Sequence, residues 1–172
     1  MNPIADLVIR FQEWVMQVPE ILQPLIIALA GAIPFIEGEG SAAIGIIGGL
    51  NPIVAAVAGA IGNFLCVLLV VLLSSGVRGA AVNRINRGKD PDAPVKEESK
   101  GRARFRRMLV RFGVPGASLL GPIAMPTQFT AAFLVGTGVR RGWVLLWQGI
   151  AIVLWTTLIT LIITGVISAA TA

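Results

Sequence analysis

The sequence predicts an all-α integral membrane protein. We expect an inverted repeat of a re-entrant hairpin plus a transmembrane helix, with interfacial amphipathic helices. Of the 172 residues, 55% are hydrophobic and only 13% are charged, whereas about a quarter of the residues in soluble domains are charged. Residues 40–77 and 143–172 contain no Asp, Glu, Lys or Arg, and each run exceeds the roughly 20 residues that a span needs. An apolar segment broken by glycine and proline precedes each span, which predicts the hairpins.

Residues 2–18 predict an amphipathic helix that lies along the membrane interface. Asn2 can cap this helix, and Pro3 suits its first turn. Apolar side chains recur every 3.6 residues on one side, while Asp6, Arg10 and Glu13 lie mainly on the other. The segment is too polar to span a bilayer, so we expect interfacial binding.

Residues 20–50 contain two short apolar arms that meet at a glycine-rich acidic tip. Residues 21–36 are uncharged but fall short of the about 20 residues of a span, and they include Pro24 and Pro34. We predict a re-entrant hairpin here. The alternative is a short, tilted span that ends at Glu37 and leaves the acids at the level of the lipid headgroups.

Two segments have the length and composition of complete transmembrane helices. The first, residues 52–76, begins after Asn51, and the second, residues 143–168, begins at Trp143, a residue type typical of the membrane interface. Asn63 lies near the middle of the first span, where it either hydrogen-bonds to a neighbouring helix or contacts substrate. In the second span, polar residues are interpreted as packing and interhelical hydrogen bonds: Gln148, Thr156, Thr157, Thr160 and Thr164.

Residues 77–111 form the extended polar segment, predicted to be a basic loop followed by an amphipathic helix. Of the 14 Lys and Arg residues, 11 lie between Arg78 and Arg111, against four acids. A basic segment beside a span faces the cytoplasm and contacts anionic lipids. We therefore place residues 78–111 in the cytoplasm. We do not expect nucleic-acid binding, because no recognition motif accompanies the charge.

Residues 112–139 predict a second re-entrant hairpin with its tip near residues 125–128. Three prolines and several glycines make one straight helix implausible. The segment 41–49 lines up with 130–138, and a clean span follows each. Since one span separates the first hairpin from the cytoplasmic loop, the two hairpins enter from opposite sides. This architecture is typical of secondary transporters.

Glu37 and Glu39 are the candidate proton-binding or substrate-binding residues, because ionisable side chains inside apolar segments are usually functional. A carboxyl in a desolvated pocket has a raised pKa, and two neighbouring acids favour one shared proton. Ser41 adds a hydroxyl, and the residues expected to shape the hairpin backbone are Pro34, Gly38 and Gly40. The alternative is that the acids cap backbone amides of the hairpin.

The second hairpin offers neutral polar groups for the other wall of the same site. Thr127, Gln128 and Thr130 supply donors and acceptors, and Pro122 and Pro126 interrupt the backbone hydrogen bonding. These groups either face substrate or satisfy the hairpin's own backbone.

Arginines flank the second hairpin, with Arg111 before it and Arg140 and Arg141 after it. They are placed where phosphate headgroups of lipids could be met. The alternative is ordinary positive-inside anchoring.

The composition argues against several classes of chemistry. The chain has no His and one cysteine, Cys66, so we expect no metal site, no cofactor and no disulfide within the chain. No nucleophile–base pair appears, so we do not expect an enzyme. The expected partners are membrane lipids, protons and a small-molecule or lipid substrate. The small membrane-buried surface is compatible with a homodimer.

Motifs in both hairpins resemble a known family. The stretch Gly-Ala-Ile-Pro-Phe-Ile-Glu-Gly-Glu-Gly at 31–40, with Arg-Phe-Gly-Val-Pro-Gly at 111–116 and Gly-Pro-Ile-Ala-Met-Pro-Thr at 121–127, resembles the small multidrug export proteins, which are related to the DedA / SNARE-associated (VTT) superfamily. The resemblance covers about residues 19–167. It implies two opposed hairpins and a proton-dependent transporter or lipid-carrier flippase, with Glu37 or Glu39 in the position of the hairpin acid. Unlike DedA proteins, this chain has no arginine within residues 113–138.

The leading functional hypothesis is a secondary membrane transporter, proton-coupled through the hairpin acids, that exports a small cation or amphiphile. The first alternative is a lipid or lipid-carrier flippase or scramblase of DedA-like type. The second is a non-transporting membrane organiser that holds partners through residues 78–111. The expected location is a prokaryotic inner or plasma membrane, with the chain crossing it more than once.

Overall fold

The computed structural model describes residues 17–87 and 112–171, with the side chains of 17–76 and 112–169, and describes Arg10 and Glu13 singly. These residues form helices and no strand, so the predicted all-helical class is confirmed for them. The elements are α1 (Gln23–Gly31), α2 (Glu37–Ile47), α3 (Pro52–Arg87), α4 (described over 112–120), a 3₁₀ turn (Gly121–Ile123), α5 (Thr127–Gly136) and α6 (Arg141–Thr171). Most of the predicted helix over 2–18 and residues 88–111 lie outside the described residues.

The contacts divide the chain into two compact units. Unit 1 contains residues 1–67 and 149–172, and unit 2 contains residues 68–148. Each unit therefore holds one of the two predicted hairpins, together with part of α3 and part of α6.

The first predicted hairpin, in unit 1, consists of two short helices, α1 and α2, that pack against each other. Pro24 lies in the first turn of α1, where its missing N–H costs no helical hydrogen bond. After α1, the Ala32 N–H donates to the carbonyls of Ala28 and Leu29, each at 3.2 Å. Residues 32–36 then reverse the chain into α2. The segment is thus two short helices, and its depth in a membrane stays a prediction.

Helices α2 and α5 end in the same hydrogen-bond arrangement, the Schellman motif. In each, a glycine with positive φ follows the helix: φ is 93° at Gly49 and 100° at Gly138. The next amide reaches back five residues, from Leu50 to Gly45 at 2.9 Å and from Val139 to Leu134 at 3.2 Å. The aligned segments 41–49 and 130–138 therefore share their local backbone structure as well as their sequence pattern.

Helix α3 begins at a well-defined cap. The Asn51 side-chain oxygen accepts hydrogen bonds from the backbone N–H groups of Ile53 at 2.9 Å and Val54 at 3.4 Å, and Pro52 occupies the first helical position. The helix continues past residue 76, the predicted end of the span, to Arg87. Residues 77–87 include three arginines and two alanines, which are good helix formers, and the next proline is Pro91, so polarity alone does not end the helix there.

In unit 1, α1 and α2 lie against α3 at distances that only glycine allows. A Cβ at Gly62 would overlap the Ala28 carbonyl oxygen, and a Cβ at Gly59 would lie 2.8 Å from the Gly38 carbonyl oxygen. Small residues let helix backbones approach closely in this way. The apolar core comprises Ile27, Ala30, Ile36, Ile44, Ile46, Leu50, Ala55 and Ala58, and Ile163 of α6 packs against it.

In unit 2, the predicted second hairpin comprises α4, the 3₁₀ turn and α5. The turn contains Pro122, and α5 begins after Pro126, whose φ of −53° and ψ of 145° are not helical. The start of α6 joins this unit through a hydrogen bond from Gln148 Nε2 to Ser118 Oγ at 3.4 Å. This contact agrees with the interhelical role predicted for Gln148.

Two helical segments, Pro52–Gly76 in α3 and Arg141–Ala169 in α6, are long and apolar enough to cross a membrane. Only 33% and 17% of the residues in their most apolar windows are buried within the protein. Large apolar side chains are exposed along both, for example Leu69, Leu73 and Leu161. Because a helix in a soluble core would be mostly covered, this exposure is an indication of membrane association.

Candidate functional site

The two glutamates lie in the first turn of α2, where the chain has just reversed from α1. Glu37 is the first residue of α2 and is 4% exposed. Its φ is 55°, and the φ of Phe35 in the preceding turn is 73°. Left-handed backbone costs a non-glycine residue about 1–2 kcal/mol, and such residues cluster at functional positions. The backbone at 35–37 therefore marks this turn as a candidate site.

Glu37 and Glu39 occupy different surroundings, since residues two apart on a helix do not face the same direction. Glu37 is buried, and Glu39 is half-buried in α2, outside the two long apolar segments. Burial is the main cause that raises the pKa of Glu39 to about 7. A backbone hydrogen bond lowers it, and the Glu37 carboxylate adds a smaller rise. Glu39 therefore changes charge near neutral pH.

Hydroxyl groups surround Gly38, which lies between the two acids. A Cβ at Gly38 would overlap Thr156 Oγ1 of α6, so this hydroxyl packs directly on the α2 backbone. Thr156 is 1% exposed, and its Oγ1 has no hydrogen-bond partner within the described residues. Ser41 is fully buried and donates to the Gly38 carbonyl at 3.1 Å. The site thus contains a buried hydroxyl with unused hydrogen-bonding capacity.

Basic residues are absent from the segments that hold the acids. Residues 21–76 and 142–172 contain no Lys or Arg. Burial disfavours the charged form of a carboxyl and so favours a bound proton or cation. Within the described residues, no group of three or more His, Cys, Asp or Glu side chains converges to hold a metal ion. Two carboxyls separated by one residue are chemically able to bind protons or a cation.

The other predicted residues of unit 1 have separate places. Asn63 is fully buried on α3, one turn beyond Gly59, whose backbone packs on Ser41. Pro34 lies in the reversal between α1 and α2. Gly40 is helical, with its N–H bonded to the Ile36 carbonyl at 2.9 Å, and Gly38 is helical too. These glycines lie within α2, and the positive φ angles of this turn belong to Phe35 and Glu37.

Unit 2 holds a neutral polar cluster at the start of α5. Thr127, Gln128 and Thr130 are all buried, and Thr127 Oγ1 donates to Gln128 Oε1 at 3.4 Å. Thr130 packs against Gly121, and its Oγ1 lacks a hydrogen-bond partner in the part of the chain that the structure describes. Ser118 of α4 and Gln148 of α6, joined to each other, are also fully buried in this unit.

The predicted repeat pairs Glu39 with Gln128. When 41–49 is aligned with 130–138, Ser41 matches Thr130, and both are fully buried hydroxyl residues. Two residues earlier, Glu39 matches Gln128, an amide of the same shape that cannot ionise. The titratable group is therefore present in one half only.

Comparison with known proteins finds no relative: no family model, no curated protein and no solved structure matches this chain. The resemblance to small multidrug export and DedA proteins therefore stays a prediction from the hairpin motifs.

The structure brings the predicted site residues together in two separate groups. Unit 1 holds Glu37, Glu39, Ser41 and Asn63, and unit 2 holds Thr127, Gln128 and Thr130. A single site lined by both hairpins therefore stays a prediction. Arg140 and Arg141 are exposed at the start of α6, and Arg111 lies outside the described residues, so their contact with lipid headgroups is also untested.

Two polar residues have more specific surroundings than the sequence suggested. The sequence predicts packing or an interhelical hydrogen bond for Thr156, which lies beside Gly38 with its hydroxyl unpaired within the described residues. The sequence does not single out Ser118, which accepts the hydrogen bond from Gln148. A signal for Thr156 was present in the regular four-residue spacing of threonines along the second span.

Proposed function

We propose that this chain is a membrane-embedded secondary transporter that couples substrate movement to protons through Glu37 and Glu39. One observation carries the proposal. Two carboxyls lie at the reversal between α1 and α2, one buried and one half-buried, within residues 21–76, which contain no Lys or Arg. Intramembrane acids in such surroundings are typical of proton relays and ion sites.

The expected coupling follows from charge balance. When a buried carboxyl releases its proton, the site gains a negative charge that burial disfavours. Binding of a cation restores neutrality, so proton and cation compete for the same place. Glu39 exchanges protons near neutral pH because burial raises its pKa to about 7. The substrate is therefore a small cation or a cationic amphiphile, exported in exchange for protons.

The proposed setting is a cell membrane. The apolar segments of α3 and α6 cross it, and residues 78–111 face the cytoplasm, because 11 of the 14 basic residues lie there. The paired broken elements, each followed by a long apolar helix, are the arrangement expected of a transporter with inverted repeats.

The proposal is tested by proton release from reconstituted protein. Full-length protein is placed in sealed vesicles containing a pH-sensitive dye, and tetraphenylphosphonium is added outside as the probe cation. We expect cation-driven proton movement that falls about tenfold or more in Glu37→Gln and in Glu39→Gln, since each removes an ionisable oxygen while keeping its shape.

The matched control is Glu20→Gln, because Glu20 is exposed and precedes α1. It should behave like the unmodified protein. Full proton movement in both site variants would refute the proposed role of the acids.

A lipid flippase is the second candidate function. It is favoured by the apolar outer surface of the first hairpin, where Leu25 and Leu29 are each 59% exposed and Phe35 is 70% exposed. A flippase or scramblase would move fluorescent phospholipid between leaflets of the same vesicles without a pH gradient. A membrane organiser would do neither and would depend on residues 78–111.

A further inference from the structure

Three threonines of α6 form one continuous hydroxyl face. Thr156, Thr160 and Thr164 are spaced four residues apart, so their side chains lie one above the other. The Oγ1 atoms of all three are buried and have no hydrogen-bond partner among the described residues. A helical threonine often donates to the carbonyl four residues earlier, and these three do not. We call this set the threonine face.

The threonine face starts at the acids. Thr156 packs directly against Gly38, between Glu37 and Glu39. From there the face follows α6 toward its C-terminal end. Ile163, next to Thr164, packs against the apolar core that α1, α2 and the beginning of α3 build. The hydroxyls therefore run along the interior of unit 1.

The contacts of α6 with α2 and α3 also show in which direction the threonine face runs. Gly149 of α6 packs against Phe64 of α3, whereas Gly38 meets both Thr156 and Ala60. As residue numbers rise along α6, those of the contacted positions on α3 fall, so the two helices are antiparallel in unit 1. The threonine face therefore runs from the acids toward the level at which α3 begins, at Pro52.

The spacing suits a hydrogen-bonded relay. Four residues of helix advance about 6 Å, a gap that one water bridges between two hydroxyls. From Thr156 to Thr164 the distance is about 12 Å, similar to the about 12 Å that separates the levels of Ala60 and Pro52 on α3. The face is thus long enough to connect the acids with the end of unit 1 where α3 starts.

Few other side chains in these segments could relay protons to and from the glutamates. Apart from the two glutamates, Cys66 is the one titratable side chain between residues 21 and 76, and α6 has none after Arg141. Ser41 is already committed to the Gly38 carbonyl. The three threonine hydroxyls can each accept a proton from one neighbour and donate one to the next, so a proton advances with no net change in the threonines.

We propose that Thr156, Thr160 and Thr164 form the route by which protons pass between the Glu37–Glu39 pair and the membrane face at which α3 begins. This inference rests on the proposed transport function, because it uses the same acids. The inference specifies the side of the membrane with which the two glutamates exchange protons. It also names the threonines that support this exchange.

The test measures protonation of Glu39 itself, which does not require transport. Full-length protein in sealed phospholipid vesicles receives a rapid change of external pH, and time-resolved infrared spectroscopy follows the carboxyl band that disappears in Glu39→Gln. In the triple variant Thr156→Val, Thr160→Val, Thr164→Val, we expect the protonation rate to fall about tenfold or more while the midpoint of the titration stays near the unmodified value. Valine keeps the shape of threonine and removes its hydroxyl.

Two further variants separate a relay from packing. Thr157→Val is the matched control, since Thr157 is the neighbouring exposed threonine of the same helix and should leave the rate unchanged. A triple serine variant at 156, 160 and 164 retains the hydroxyls and should restore most of the rate.

An unchanged protonation rate in the triple valine variant overturns this inference, whether or not the protein transports cations. An equal loss of rate in Thr157→Val or in the serine variant also overturns it, because the effect would then be structural. Dependence of transport on a sodium gradient, with no dependence on pH, overturns it together with the proton-coupled function. Full transport in the glutamine variants of the acids, with slow Glu39 protonation in the valine variant, refutes the transport role alone.

Discussion

At the scale of the residue, Glu37 and Glu39 are best regarded as two different groups. Glu37 begins α2 with a left-handed φ and is buried, whereas Glu39 lies further along the first turn and is half-buried. The charge of Glu37 raises the pKa of Glu39 less than burial does. Both carboxyls stay candidates for binding the proton, and Glu39 changes charge near neutral pH.

The Glu39 proton should be visible in the pH dependence of stability. Its pKa is raised from 4.5 to about 7, so the folded protein binds the proton more tightly than the unfolded chain does. The contribution of this proton to the stability of the folded protein is therefore complete below pH 4.5 and is lost as the pH rises to about 7. Thermal unfolding of the detergent-solubilised protein, followed by tryptophan fluorescence across this window, measures the loss.

In Glu39→Gln, the fall in melting temperature over the same window should be smaller, because glutamine does not titrate. Glu20→Gln serves again as the exposed control and should retain the full fall. An equal fall in Glu39→Gln and the unmodified protein would assign the pH dependence to another group.

The sequence predicted the acids but not their nearest neighbours. Charges within an apolar run are conspicuous, so Glu37 and Glu39 could be selected without a structure. Thr156 could not be matched to Gly38, because no local pattern links residues so far apart in the chain. The sequence does not predict the left-handed φ at Phe35 either, because glycine is the residue that usually indicates this conformation.

At the scale of the element, unit 1 depends on close approach between α1 and α3. Gly62 faces the Ala28 carbonyl with no space for a Cβ. Gly62→Ala should therefore force the helices apart and destabilise the protein by about 1–3 kcal/mol. A lowered midpoint in equilibrium unfolding of the detergent-solubilised protein would measure this.

Gly76→Ala on the same helix is the matched control, because a Cβ there meets no atom within 4 Å. It should be neutral or stabilise by up to about 1 kcal/mol through helix propensity. If Gly62→Ala were as stable as Gly76→Ala, the close packing of α1 on α3 would be wrong.

Helix positions were largely predictable from proline, glycine and asparagine. Asn51 and Pro52 mark the start of α3, and Gly49 and Gly138 mark the ends of α2 and α5. The predicted span 52–76 has the same bounds as the apolar segment Pro52–Gly76, whereas the helix continues to Arg87, because hydropathy reports where a helix leaves an apolar environment and not where its backbone stops being helical. Of the residues predicted to shape the first hairpin, Pro34 lies in the reversal, and Gly38 and Gly40 lie in the first turn of α2 that follows it.

At the scale of the whole molecule, the central prediction is that the chain spans a membrane in one orientation. The single cysteine allows the burial of α3 in the membrane to be measured. Cys66 lies within the apolar part of α3 and should not react with a water-soluble maleimide in sealed vesicles, yet should react once detergent and denaturant expose it.

Sidedness can be read from new cysteines in a Cys66→Ser background. Thr137→Cys lies exposed between α5 and α6, and Ser168→Cys lies exposed near the end of α6. We expect labelling of Thr137→Cys from the cytoplasmic side only and of Ser168→Cys from the opposite side only. Labelling of both from one side would refute a single crossing by α6.

The number of long apolar helices could be predicted from hydropathy because only two uncharged runs are long enough. Hydropathy does not predict how the two hairpins are arranged. Glu39 and Gln128 are matched by the sequence alignment, yet they belong to different units. Whether they face one substrate depends on tertiary contacts that periodicity and composition do not encode.

The absence of Lys and Arg from residues 21–76 has an electrical consequence for the proposed transporter. The net charge of the proposed site changes with the number of protons or cations it holds. Each elementary charge that crosses the full membrane field changes the energy by about 2.3 kcal/mol per 100 mV. A neutral, protonated site would be indifferent to voltage, whereas an empty, ionised one would be driven by it. The membrane potential would therefore act as a second regulator, setting which of the two forms completes the cycle.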